Sequence, residues 1–133
     1  MQQVAPQVGI VLVSHSSRLA EGAADLARQV SGEAVTVLAA GGTDDGRLGT
    51  SAAKIAAAVR KADSGAGVLV LPDLGSAVLT MLAMLEDMTD VTVRLADAPF
   101  VEGAVAATVT AAGGAGLAEV AKAAEEAWHA RKL

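Results

Sequence analysis

The sequence predicts a small doubly wound α/β domain, a mainly parallel sheet of about four strands with helices on both faces. Short apolar runs rich in β-branched residues, such as Val8-Gly-Ile-Val-Leu-Val, recur between segments of helical spacing, which is the pattern of βαβ units. The runs are continuous rather than alternating, as strands buried on both faces require. Hydrophobic residues make up 53% of the 133-residue chain, yet Phe100 and Trp128 are its only aromatics. The core must therefore be built from Ala, Val, Leu, Ile and Met, small enough for helices to lie close on a sheet.

Each element follows in order. Residues 8–14 read as the first strand, bounded by Gln7 and the polar Ser14-His-Ser-Ser17 cluster. Ser16 or Ser17 can cap a helix that runs to Gln29, with Leu19, Ala23, Leu26, Ala27 and Val30 at helical spacing and Gly32 ending it. Residues 34–39 form the second strand, followed by a glycine-rich polar loop over 41–49 whose flexibility suits a site. Thr50 or Ser51 opens the second helix, with Ile55, Ala58, Val59 and Ala62 as its stripe. Residues 67–71 are the third strand, closed by Pro72. A third helix runs from about Ala77 to Asp87 and carries Leu79, Leu82, Ala83 and Leu85. Residues 91–95 form a short fourth strand, with Arg94 marking it as an edge. A helix over 102–112, an interruption at 113–116 and a last alanine-rich helix over 117–130 complete a single domain spanning 1–133, with no repeat or linker. Right-handed crossovers place helices on both faces. Ligands in such sheets sit beyond the carboxyl ends of the strands, which directs attention to residues 14–18, 40–50, 73–76 and 96–103.

Composition removes several function classes. Net charge is −5 and aromatic rings are scarce, so neither a basic field nor a stacking platform for nucleic acid is present. With no cysteine there are no disulfides, thiolate metal sites or cysteine nucleophiles. Residues 1–7 lack a basic targeting region, and the apolar run after them is too short to span a membrane. The expected location is the cytoplasm.

Two histidines remain as candidates. His129 lies in a polar tail and reads as a solvated residue or a helix C-terminal cation. His15 directly follows the first strand, where this fold places ligands. It is either a loop histidine bonded to neighbouring backbone or a nucleophile whose neutral ring attacks phosphorus. A nucleophilic ring needs its second nitrogen held by an acceptor, and Asp73, at the end of the third strand, is placed to supply one. Asp73 can equally cap the next helix. Backbone amides near Gly75 and Ser76 can face phosphoryl oxygens. Ser14, Ser16 and Ser17 suit capping or oxyanion donation, because no G-x-S-x-G elbow is present. Arg18 either attracts a phosphate or lies solvated. The glycines of 41–49 match no nucleotide-binding fingerprint, and Asp44 and Asp45 read as solvated loop carboxylates more readily than as metal ligands.

The segment Val11-Leu-Val-Ser-His-Ser-Ser-Arg-Leu-Ala-Glu-Gly22 resembles the phosphorylation segment of the phosphotransfer subunits of dihydroxyacetone kinases, which have a domain of the mannose-type EIIA family. The resemblance continues through Ala39-Ala-Gly-Gly42, Gly49-Thr-Ser-Ala-Ala-Lys54, Pro72-Asp-Leu-Gly-Ser-Ala77 and the segment 98–107, in the family's order. It implies that His15 is the phosphorylated histidine, Asp73 the carboxylate that orients it and Ser76 the serine beside the site. Sugar-transporter members have Trp-Gly-Gly-Ser-Pro after their Asp. The Leu-Gly-Ser-Ala here favours the dihydroxyacetone branch over an EIIA component of a mannose-type transporter.

The resemblance further implies that phosphate passes from phosphoenolpyruvate through enzyme I and HPr to the histidine. From there it goes to ADP on a kinase L subunit, which works with a K subunit that holds dihydroxyacetone. No cofactor or metal of the chain's own is then expected, only a phosphoryl group carried covalently on His15, with ADP or ATP on the partner. Some relatives fuse HPr-like and enzyme I-like domains after this one, and this sequence, lacking them, is expected to use separate donors. A homodimer is also expected. Two other readings stand beside this one: a regulatory module whose partner affinity is switched by phosphorylation, and a hydrolase using His15 as general base, for which no partnered nucleophile is visible.

Overall fold

Ile10, Val11, Leu12 and Val13 are wholly buried, and the strand they build, β1 (Gly9–Ser14), is a central strand of the sheet. The structure is a computed structural model and describes residues 6–32 and 34–133; residues 1–5, part of the segment read as free of a targeting signal, lie outside the described residues. After β1 come α1 (Ser17–Ser31), β2 (Val37–Gly41), α2 (Ala52–Ala62), β3 (Val68–Pro72), α3 (Gly75–Asp87), β4 (Val93–Leu95), α4 (Phe100–Ala112) and α5 (Leu117–Glu126), ending in a 3-10 turn at Ala127–His129. The four strands are all parallel, in the order β2-β1-β3-β4, the doubly wound architecture expected. No helix among the described residues is long and apolar enough to cross a membrane.

Alternation along β1 divides the core. Ile10 and Leu12, with Leu69 and Leu71 of β3, face α1, α4 and α5. Val11 and Val13, with Val68 and Val70, face Ile55 and Val59 of α2 and Met81 and Met84 of α3. Both faces are thus covered, which is why the strands read as unbroken apolar runs. β4 is the short edge strand anticipated, and Arg94 is exposed on it.

Several boundaries and faces differ from expectation. The second strand runs Val37–Gly41 rather than 34–39, because its partner β1 reaches only far enough to pair Ile10 with Val37 and Ser14 with Gly41. Ser51, not Thr50, caps α2, accepting the Lys54 amide at 3.2 Å. α3 and α4 each begin two residues early, at Gly75 and Phe100, and the last helix gives way to a 3-10 turn after Glu126. α1 turns Ala20, Ala23, Ala24 and Ala27 inward and leaves Leu19, Leu26 and Val30 partly exposed. On α3 the inward face is Ala77, Met81 and Met84, while Leu79 is 73% and Leu82 50% exposed. Hydrophobicity alone picked the leucines. In the structure α1 packs alanine on the sheet, and α3 packs the flexible methionine side chain there.

Gly41 was read as a loop glycine but closes β2 against the start of α1. A Cβ on it would lie 2.6 Å from Ser17 Cα and 2.7 Å from Ser16 O, both backbone atoms. Backbone cannot move aside as a side-chain tip can, so Gly41→Ala should cost about 1–3 kcal/mol or more. A lowered urea midpoint at unchanged slope is the expected readout.

Candidate functional site

β1 and β3 are neighbours, and the chain leaves them in opposite directions. β1 leads into α1 on one face of the sheet, and β3 leads into α3 on the other. This reversal opens a crevice at the carboxyl ends of the two strands. His15 is the first residue beyond β1 and Asp73 the first beyond β3. The Asp73 amide donates to Val13 O at 2.9 Å and holds the two strand ends together.

The Asp73 carboxylate receives four hydrogen bonds. Its Oδ1 accepts the His15 ring at Nδ1, 3.0 Å away, and the Leu74 amide at 2.8 Å. Its Oδ2 accepts the His15 amide at 3.1 Å and the Ser14 hydroxyl at 2.9 Å. The Asp73 side chain is only 8% exposed. Burial opposes its ionisation, but the bonds from His15 and Ser14 and the nearby imidazole outweigh this and hold its carboxyl below the ordinary value. An ionised, acceptor-only Asp73 places the ring proton on Nδ1 and leaves the lone pair on Nε2. Nε2 faces the Ser76 hydroxyl at 2.8 Å, and the His15 side chain keeps 25% of its surface exposed. The result is a fixed imidazole with one nitrogen held against a carboxylate and the other at an open edge.

The remaining predicted residues fall in different places. Ser16 caps α1, accepting the Leu19 amide at 3.3 Å. Gly75 is the first residue of α3 and is exposed beside Ser76. The preceding Leu74 makes no side-chain cap, so Asp73 serves the histidine rather than the helix, and the α3 N-terminal amides receive no cap from it. Arg18 is exposed on the first turn of α1, outside the His15 network. His129 is exposed in the terminal 3-10 turn.

Ser14 is neither the cap nor the oxyanion donor expected of it. It is fully buried and bonded to Asp73. The available signal was a hydroxyl closing a strand buried on both faces, which must find a buried partner.

The 41–49 loop lies against the site, as its reading as a site segment expected. The Gly49 amide donates to His15 O at 2.9 Å and the Gly42 amide to Ser14 O at 3.2 Å, clamping the backbone on which the histidine sits. Gly49 does so at φ +140°, a conformation that favours glycine. Asp44 accepts the Ser51 hydroxyl, and Asp45 pairs with Thr43 and Arg47. Among the described residues no three His, Asp or Glu side chains gather where they could hold a metal ion. A cavity of about 480 Å³ opens beside Asp73, lined by Leu74, Gly75, Leu95, Phe100 and Trp128 among others.

A parallel α/β sheet carrying a carboxylate-oriented histidine at its switch point defines the class of this protein. The chain belongs to the mannose-type EIIA family: the family model described as the fructose IIA component of the phosphotransferase system matches residues 9–121. It is 44% identical over 119 residues to the phosphoryl donor subunit DhaM of the phosphoenolpyruvate-dependent dihydroxyacetone kinase of Escherichia coli K12, covering 85% of this chain and 25% of that protein. The corresponding subunit of Klebsiella michiganensis is 40% identical, over 95% of this chain and 28% of its own length. The chain thus spans about a quarter of these enterobacterial relatives. One DhaM of Listeria innocua, 38% identical, matches over 77% of this chain and 84% of its own length. A crystal structure of a protein of unknown function superposes with a TM-score of 0.79 at 36% identity, over 90% of this chain and 94% of that one. A sigma-54 interaction domain protein from Enterococcus faecalis shares the fold alone, with a TM-score of 0.69 at 16% identity over 90% and 88% of the two chains.

Proposed function

We propose that this protein is a phosphohistidine carrier serving a dihydroxyacetone kinase: it accepts a phosphoryl group from an HPr-like donor on His15 and passes it to ADP on an L-type subunit. The observation that carries the reading is the geometry of one ring, with Nδ1 held by Asp73 at 3.0 Å and Nε2 at the open edge beside Ser76 at 2.8 Å. The names of the DhaM relatives, phosphoryl donor subunits of a phosphoenolpyruvate-dependent kinase, support the same direction.

In this mechanism the Nε2 lone pair attacks phosphorus on the donor's phosphohistidine. The new N–P bond forms as the donor's N–P bond breaks, and the donor imidazole leaves with the bonding pair. The Nδ1 proton stays in place, because Asp73 stabilises the charge that develops on the ring. The Ser76 hydroxyl turns from Nε2 to a phosphoryl oxygen, and the amides of Gly75 and Ser76 at the α3 N-terminus add donors for the same group. Ser16 and Arg18, at the start of α1, are assigned as secondary contacts for the phosphate. In the second step a terminal oxygen of ADP attacks phosphorus, the N–P bond breaks, and neutral His15 is regenerated. ATP formed on the L subunit then serves the K subunit that holds dihydroxyacetone.

Leu79, one helical turn beyond Ser76 and exposed, supports transient docking of apolar partner surfaces, and a homodimer belongs to the same proposal. No metal or nucleotide of this chain's own takes part. The decisive experiment supplies phosphoenolpyruvate, enzyme I and HPr, followed by an ADP-loaded L subunit with its K subunit. The expected result is a gain of about 80 Da on this protein, labile in acid, then ATP on the L subunit. Phosphorylation without ATP formation would instead identify a regulatory module.

A further inference from the structure

The hydroxyl of Ser14 has no assigned part in phosphoryl transfer, yet it lies wholly inside the protein and touches the carboxylate on which His15 depends. Its surroundings decide which way it points. The Ser16 amide, which can only donate, approaches Ser14 Oγ at 3.0 Å. With that lone pair engaged, the hydroxyl proton is turned to Asp73 Oδ2, 2.9 Å away. The His15 amide donates to the same oxygen at 3.1 Å, so Oδ2 meets two donors and has no room to carry a proton.

We propose that Ser14 is the positioning residue that sets the polarity of the site: fixed by the Ser16 amide, it drives its proton onto Asp73, and so selects the His15 tautomer with hydrogen on Nδ1 and the lone pair on Nε2. The chain of donors runs in one direction, from the Ser16 amide to the Ser14 hydroxyl to Asp73. There it meets the Nδ1 hydrogen of His15, leaving Nε2 as acceptor for the Ser76 hydroxyl at 2.8 Å. Removing the Ser14 hydroxyl leaves Oδ2 short of one partner in a buried setting. The carboxylate can then rotate or take up a proton, and the ring is free to place its hydrogen on Nε2, where attack on phosphorus is blocked. The assignment rests on the phosphocarrier reading for its consequence, but the tautomer itself is read on the unphosphorylated protein.

The test compares parent, Ser14→Ala and Ser14→Cys, the last keeping the shape of the side chain, slightly enlarged, while weakening the donor. Long-range proton–nitrogen NMR reports which His15 nitrogen bears hydrogen, and the amide spectrum reports the fold. The parent should show hydrogen on Nδ1 alone. In Ser14→Ala the two tautomers should mix, and phosphoryl acceptance should slow roughly tenfold, the scale of one hydrogen bond to a charged group. Ser14→Cys should fall between, and it carries the comparison if Ser14→Ala folds poorly. A folded variant that keeps hydrogen on Nδ1 overturns the proposal, whether its rate is unchanged or reduced, since a reduced rate would then reflect packing alone. Failure of the parent to accept phosphate would overturn the carrier reading and leave the tautomer result standing.

Discussion

His15→Ala is expected to remain folded and to lose phosphoryl acceptance by about four orders of magnitude or more. His15 is the residue that supplies a nucleophilic nitrogen at the crevice, and among the described residues its ring bonds to Asp73 and Ser76. Ser76 is exposed and can turn to water when the ring is gone, while Asp73 keeps its bonds from Ser14, the His15 amide and the Leu74 amide, so the fold loses little. The backbone contacts that hold the segment, from Gly49 to His15 O and from His15 N to Asp73, do not need the side chain. Incubation with phosphoenolpyruvate, enzyme I and HPr, read by intact mass, checks the claim. A His15→Ala protein that still gained phosphate would remove His15 from the mechanism.

The architecture was legible because of pattern at a few strands. The unbroken apolar run at 8–13 required burial on both faces, and the structure places it between β2 and β3 under helices from both sides. The position of His15 after that strand, and of Asp73 after β3, followed from the same segmentation. Two things were not legible. Which side chains of an apolar helix face inward depends on the depth available between helix and sheet, so Met81 and Met84 displaced Leu79 and Leu82. The roles of Ser14 and Gly41 depend on contacts across the sheet, with Asp73 fifty-nine positions away and with the start of α1. No local spacing encodes those distances. Choosing between cap and partner for Asp73 required the same knowledge: only the pairing of Val13 with Pro72 brings its carboxylate to the ring.

Asp73→Asn is expected to slow phosphoryl acceptance by about 10²- to 10⁴-fold while the protein still folds, because it preserves volume and removes the charge that balances a developing imidazolium. The four partners of Asp73 make the effect specific. An amide oxygen on the Oδ1 side can still accept the Nδ1 hydrogen and the Leu74 amide. Its NH₂ group then confronts the His15 amide and the Ser14 hydroxyl, both of which now donate. Ser14 can turn to accept, but the His15 amide is left without an acceptor, at a stability cost of about 1–3 kcal/mol. Flipping the amide moves the conflict to the imidazole and reverses its tautomer.

The pH dependence of that stability cost has a definite sign. Because the folded Asp73 carboxyl lies below its ordinary value, its contribution is fully present above the unfolded pKa of about 3.9. It is lost as pH falls through the lower folded value. Urea unfolding should therefore separate parent from Asp73→Asn at neutral pH, with the gap closing in strong acid. If the gap is unchanged by pH and transfer is undiminished, Asp73 is a neutral hydrogen-bonding element of the fold, and the charge on its carboxylate has no part in the chemistry at His15.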